Sequence, residues 1–192
     1  MAEIEEYNDS STKKIIIETN STKKTVKTGK DKVKRIITDT KKWTNNIKKE
    51  FLEQPLNQRK IIEDMYNNCI NDSDQEHAKI ITQQIHQKIN GYRAQDIEKQ
   101  KYESDKIVDS ETILEKLHNC NVICYYCKDP VLVLYEYVRE PKQWTVERID
   151  NAFGHNKDNI EIACLRCNLR RRIMSQERYV LTKQMSIITK LT

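Results

Sequence analysis

Large apolar side chains are scarce in this sequence. Only 37% of its 192 residues are hydrophobic and 33% are charged, with two phenylalanines, three glycines and three prolines. So lean a composition excludes a generous core along the whole length, so part of the chain is loosely packed or is ordered by a metal or a partner. No apolar run approaches the roughly 18–20 residues a membrane span requires, which excludes a spanning helix and a membrane partner. The opening MAEIEEYND is too acidic and polar for a secretory signal. Without one, the glycosylation pattern Asn20-Ser21-Thr22 carries no meaning, and the expected setting is an intracellular, reducing compartment.

What is present is unevenly distributed. The formal charge of +5 is modest, but from Arg166 onward the basic residues Arg166, Arg170, Arg171, Arg172, Arg178, Lys183 and Lys190 face one acid, Glu177. Such a cluster suits a phosphate backbone; a basic run by itself equally suits a solvated helix face.

Three regions follow from the texture of the chain. Residues 1–40 read as a flexible basic arm, residues 41–119 as a helical region, and residues 120–192 as a compact module ending in a basic helix. Within the second region, Trp43, Ile47 and Phe51, then Ile61, Ile62, Met65, Tyr66 and Cys69, recur at helical spacing on either side of Pro55. Asp72 or Ser73 is placed to cap a further helix carrying Ile80, Ile81, Ile85 and Ile89 up to Gly91, and SETILEKLH reads as another starting at Ser110. In the third region VLVLYEYV and QWTVERI read as strands, DNAFGHNKD as turn material, and a basic helix begins near Asn168. No strict internal repeat is visible.

Cys124-x2-Cys127 and Cys164-x2-Cys167 are the most specific signal. A CxxC turn aims two thiolates at one point, and two such turns make a tetrahedral sulfur cage that zinc fills. Structural zinc of this kind contributes on the order of 10 kcal/mol or more to folding, the stabilisation a lean core lacks. Redox dithiols usually stand alone, and incidental buried cysteines rarely fall into two matched pairs. Cys69 and Cys120 read as small buried hydrophobes, with Cys120 and, more weakly, His118 as spare ligand candidates.

Between the pairs stands QWTVERIDN, then GHNKDN and ACLRCNLRRR. The order of acid, basic residue and Ile, a Gly-His loop, an Asn five residues before a Cys, then CxxCN and arginines resembles the HNH nuclease family over roughly Cys124 to Arg172. Together with INGYRAQDIEKQKYE, CYYC and VLYEYVRE it is similar to HNH-like proteins of large DNA viruses, from about Ile85 to near the C-terminus. If so, the compartment is host cytoplasm, nucleus or virion.

The resemblance implies an α+β fold with a zinc-braced ββα-metal module. It also implies a nucleic-acid partner, double-stranded DNA in this family, and metal-dependent hydrolysis of phosphodiester bonds. It places Glu147 and Asn168 at the catalytic metal and Asn159 at the loop. Arg148 takes the position of the general-base histidine. Arginine cannot serve there, because its pKa lies above about 12; it can clamp a phosphate. His155 either supplies the relocated base or is a loop histidine that bonds the backbone or touches DNA. Asp150 is a second candidate ligand or a turn residue. Asn168 is a ligand or a helix N-cap, and Asn159 tethers the loop to backbone. Carboxylate and amide ligands favour Mg2+ or Mn2+ over a second zinc. In this context Arg166, Arg170, Arg171 and Arg172 are expected against phosphates, whereas Trp43, Trp144, Tyr125 and Tyr126 are expected to pack. The alternative function is a catalytically silent DNA-binding module of the same fold, used in replication, transcription or packaging. What the N-terminal helices bind is not legible.

Overall fold

A computed structural model describes residue 47, residues 51 and 52, and residues 54–188. The expected basic arm over 1–40, Trp43 and Lys190 lie outside the described residues.

The described chain is α+β, with five helices of regular length and a two-stranded antiparallel sheet. Helix α1, Pro55–Tyr66, opens with proline in its first turn, where no intrahelical N–H bond is lost. It buries Gln58, Ile61, Ile62 and Met65, a single face at helical spacing. A short 3-10 turn, Asp72–Asp74, leads into α2, Gln75–Glu98. This helix runs through Gly91 instead of ending there. A Cβ at Gly91 would meet nothing within 4 Å, so glycine there costs only about 1 kcal/mol of propensity, and the helix goes on to place Tyr92 and Asp96. It stops at Lys99, followed by Gln100 at φ 57°.

Helix α3, Ser110–Asn119, starts where expected and is capped by Asp109, whose carboxylate accepts from Thr112 N at 2.8 Å. Ile113 and Leu117 are fully buried. Strands β1, Trp144–Arg148, and β2, Ile160–Cys164, pair with Trp144 opposite Cys164 and Arg148 opposite Ile160. Helix α4, Leu165–Arg171, follows β2 directly, and α5, Gln176–Ile188, completes the described chain. The single basic helix expected from Asn168 is thus two helices, broken at Arg172, whose φ is 53°.

VLVLYEYV is not a strand, although Val131, Val133 and Leu134 are fully buried. A side chain takes the place of a pairing strand. Gln58, itself fully buried, accepts from Val133 N at 2.7 Å and Leu134 N at 2.9 Å through Oε1, and donates to Leu134 O at 3.0 Å. The backbone polar groups are satisfied without a ladder. One apolar cluster runs from α1, α2 and α3 into β1, β2 and the segment between Val122 and Tyr135. Trp144 is fully buried within it and donates Nε1–H to Val133 O at 3.1 Å.

Candidate metal centre and cationic cleft

The four paired cysteines meet where β2 enters α4. Their sulfur atoms all lie within 4.8 Å of one another, and Cys127 Sγ is 3.8 Å from Cys164 Sγ. Four sulfurs at about 2.3 Å from a tetrahedral metal stand roughly 3.8 Å apart, so the cluster could hold an ion such as zinc. Backbone N–H groups support the sulfurs: Cys164 N donates to Cys124 Sγ at 3.3 Å and Cys167 N to Cys164 Sγ at 3.4 Å. Hydrogen bonding with the Cys124 and Cys167 sulfurs pushes the Cys164 thiol up. Sulfurs packed this closely ionise together only beside a cation. Tyr126 meets Tyr125 and Tyr179 edge to face, packing the CYYC turn against α5.

The other cysteines stay outside. Cys120 is half-buried, its Sγ 3.4 Å from Leu117 O, and Cys69 is exposed, not buried as its helical spacing suggests, because it lies just past the end of α1. His118 stacks on Tyr66.

A cleft of about 450 Å3 is lined by Lys88 and Tyr92 of α2 and Lys99 just past its end, by Thr145, Glu147 and Arg148 of β1, by His155 of the following loop, and by Asn168 of α4 and Arg172 just past its end. Among the described residues it carries four cations, Lys88, Lys99, Arg148 and Arg172, against one acid, Glu147. The cleft therefore attracts anions.

His155 is the most constrained side chain in it. Its Nδ1 lies 2.9 and 3.0 Å from the two oxygens of Asp96, and its backbone N–H donates to Asp96 Oδ2 at 2.7 Å. Asp96 is 1% exposed and His155 5%. Tyr92 stacks on the imidazole at 4.4 Å between ring centroids. Facing an acceptor-only carboxylate, Nδ1 carries the proton, which leaves the lone pair on Nε2. Burial holds the His155 pKa below its ordinary value, with Asp96 acting in the opposite direction. Gly154 makes this contact possible: a Cβ there would stand 2.4 Å from Lys101 O and 3.0 Å from Asp96 Oδ2.

Asn159 ties the same loop. It accepts from Asp150 N at 2.8 Å and donates to Asp150 O at 2.9 Å and Gly154 O at 3.0 Å, the tethering role expected of it. Asp150 is exposed, accepts from Ala152 N at 2.8 Å and does not line the cleft. It is placed as a turn residue, since its carboxylate is spent on the local backbone.

Glu147 is buried, and its Oε1 is held by Arg171, which also donates to the carbonyls of Arg148 and Ile149. The other oxygen, Oε2, is buried with no hydrogen-bond partner among the described residues. Burial pushes the Glu147 carboxyl pKa up, and Arg171 counteracts this. Asn168 lies one turn inside α4, so it is not the N-cap; Cys164 is, accepting from Cys167 N. Thr145 donates its hydroxyl to Ala163 O at 2.9 Å and accepts from Asn168 Nδ2 at 3.2 Å, which orients the amide and leaves Asn168 Oδ1 open. Glu147 and Asn168 both line the cleft, each with one side-chain oxygen that no described residue engages.

The four arginines part company. Arg170 and Arg172 are exposed, and Arg172 lines the cleft. Arg166 donates to Asp129 Oδ2 at 2.9 Å, and the nearby Cys127 sulfur raises its pKa, so it stands beside the cysteine cluster. Arg171, expected on the phosphate-facing surface, is 1% exposed. The reason is helical: it stands four residues after Cys167, whose side chain must point inward. Arg148 donates to Phe153 O at 3.2 Å from the rim of the cleft.

Asp96 is the residue that sequence reasoning missed. It sits in a polar stretch after Gly91, 59 residues from His155, and no local pattern marks it. Compared with known proteins, the chain matches no family model, no curated protein and no solved structure. Among the described residues, no helix is long and apolar enough to cross a membrane.

Proposed function

We propose that this chain binds nucleic acid in the cationic cleft and is a metal-dependent DNA endonuclease of HNH type, its ββα-metal unit formed by β1, β2 and α4. Zinc at Cys124, Cys127, Cys164 and Cys167 braces that unit. The observation that carries the reading is the buried Asp96–His155 pair at a cleft of excess positive charge. A histidine with Nδ1 fixed by a carboxylate and a low pKa is equipped to take a proton from water at neutral pH. Asp96 is the positioning residue. Arg148 and Arg172 bind phosphate. Glu147 and Asn168 would hold a Mg2+ or Mn2+ ion, which would supply charge stabilisation at the scissile phosphate.

One observation favours the second reading, a catalytically silent DNA-binding module: Arg171 already neutralises Glu147. Nicking of supercoiled plasmid by zinc-loaded protein separates the two. The endonuclease reading expects Mg2+- or Mn2+-dependent nicking that His155→Ala abolishes and Asp96→Asn reduces. Salt-sensitive DNA retention without nicking selects the binding module, and neither nicking nor retention rejects both.

A further inference from the structure

Close in sequence to cleft-lining residues, and in addition to the exposed Leu169 of the cleft itself, two further large apolar side chains face solvent. Phe153 is 54% exposed and Ile173 93% exposed. Each is held there by a hydrogen-bonded turn. Around Phe153, Arg148 donates to the Phe153 carbonyl at 3.2 Å, Asn159 to the Gly154 carbonyl at 3.0 Å, and Asp96 accepts from the His155 N–H at 2.7 Å. Before Ile173, Arg172 turns the chain at φ 53°, its carbonyl accepting from Asn151 Nδ2 at 3.5 Å, and Met174 N donates to Arg171 O at 3.0 Å. The Asn151–Arg172 contact joins the two turns, so both apolar residues flank the same cations, Arg148 and Arg172. Single exposed hydrophobes are ordinary. An aromatic and a branched aliphatic presented by two joined turns beside phosphate-binding cations match the side chains that wedge into base steps of a duplex.

Resting on the nucleic-acid reading above, we infer that the preferred ligand is duplex DNA whose base stack is opened at the cleft, with Phe153 and Ile173 as the wedge. Arg148 and Arg172 hold the backbone on either side. Opening a stack costs energy that a mismatch or abasic gap has already spent, so the wedge matters most on intact duplex.

The test uses full-length, zinc-loaded protein and short duplexes carrying 2-aminopurine, with Phe153→Ala and Ile173→Ser beside the native chain. Both side chains are exposed, so zinc content and circular dichroism should match the native protein. The native protein is expected to raise 2-aminopurine fluorescence on binding. Each variant should lose that rise and bind intact duplex roughly tenfold more weakly, the scale of one stacked base, while binding a mismatched duplex nearly as well as the native chain. Salt-sensitive duplex binding with no fluorescence change, or equal losses on intact and mismatched duplex, overturns the wedge and leaves the nucleic-acid reading standing. Preference for single strands over both duplexes also overturns it. No binding to any of these DNAs removes the nucleic-acid reading and the wedge with it.

Discussion

The cysteine cluster and the cationic cleft are built on opposite principles. The cysteine cluster is made from two local turns, and each supplies two sulfurs from positions three residues apart. The cleft draws on α2, β1, the loop after β1 and α4, and its side-chain pairs Asp96–His155, Thr145–Asn168 and Glu147–Arg171 join residues far apart in sequence. The first needs only its own two turns to bring four sulfurs together, and could be closed by a metal ion. The second is only as precise as the packing of α2 against the sheet, because Asp96 sets the position of His155. A site of the first kind stabilises the fold, whereas a site of the second kind depends on it.

That difference sets the order of expected effects. Cys164→Ser, or removal of the metal with a chelator, should cost on the order of 10 kcal/mol and unfold the module, read by circular dichroism alongside metal content. A chain that keeps its fold without metal would put the cysteine cluster on the same footing as the cleft. Arg171→Met strands the buried Glu147 carboxylate and should destabilise by about 3–5 kcal/mol in urea titration, with cysteine metal content unchanged in the folded protein. Little loss would mean that Glu147 accepts protonation at no great cost.

His155→Ala should lower nicking by about 10²- to 10⁴-fold with the fold intact. The pH profile sharpens this. The His155 pKa lies below its ordinary 6.5, so the neutral base is fully present at neutral pH and the acid limb falls below that value. Asp96 raises the pKa, so Asp96→Asn should move the limb to still lower pH while reducing the rate. The same depression means that stability is fully present above the unfolded pKa and is lost as pH falls from about 6.5 toward the folded value. A limb that stays in place in Asp96→Asn would show that His155 is not the titrating base.

Gly154→Ala pushes a methyl against Lys101 O and Asp96 and should cost roughly 1–3 kcal/mol, with nicking falling further than stability alone explains. The smallest effects separate two arginines that look alike in sequence. Arg172→Ala should reduce the salt dependence of DNA binding by about one phosphate contact. Arg166→Ala should leave that slope unchanged and instead weaken metal retention by about 10- to 100-fold, measured by competition with a chromogenic chelator.

The sequence by itself determined the four clustered cysteines, the helical faces of α1 and α2, the α+β class and the tether at Asn159. These are short-range properties: a CxxC turn, a 3.6-residue period and an amide five residues from the carbonyl it holds all lie within one stretch of chain. The tertiary structure alone decided the rest. It put Asp96 on His155 across 59 residues, and it used Gln58 to satisfy Val133 and Leu134 across 75 and 76, so that an apolar run with strand character forms no strand. It turned Arg171 inward while leaving Arg170 and Arg172 outside, since Cys167 fixes the rotation of α4. Which of several identical side chains meets a distant partner depends on how whole elements rotate and pack, and no local period or spacing carries that information.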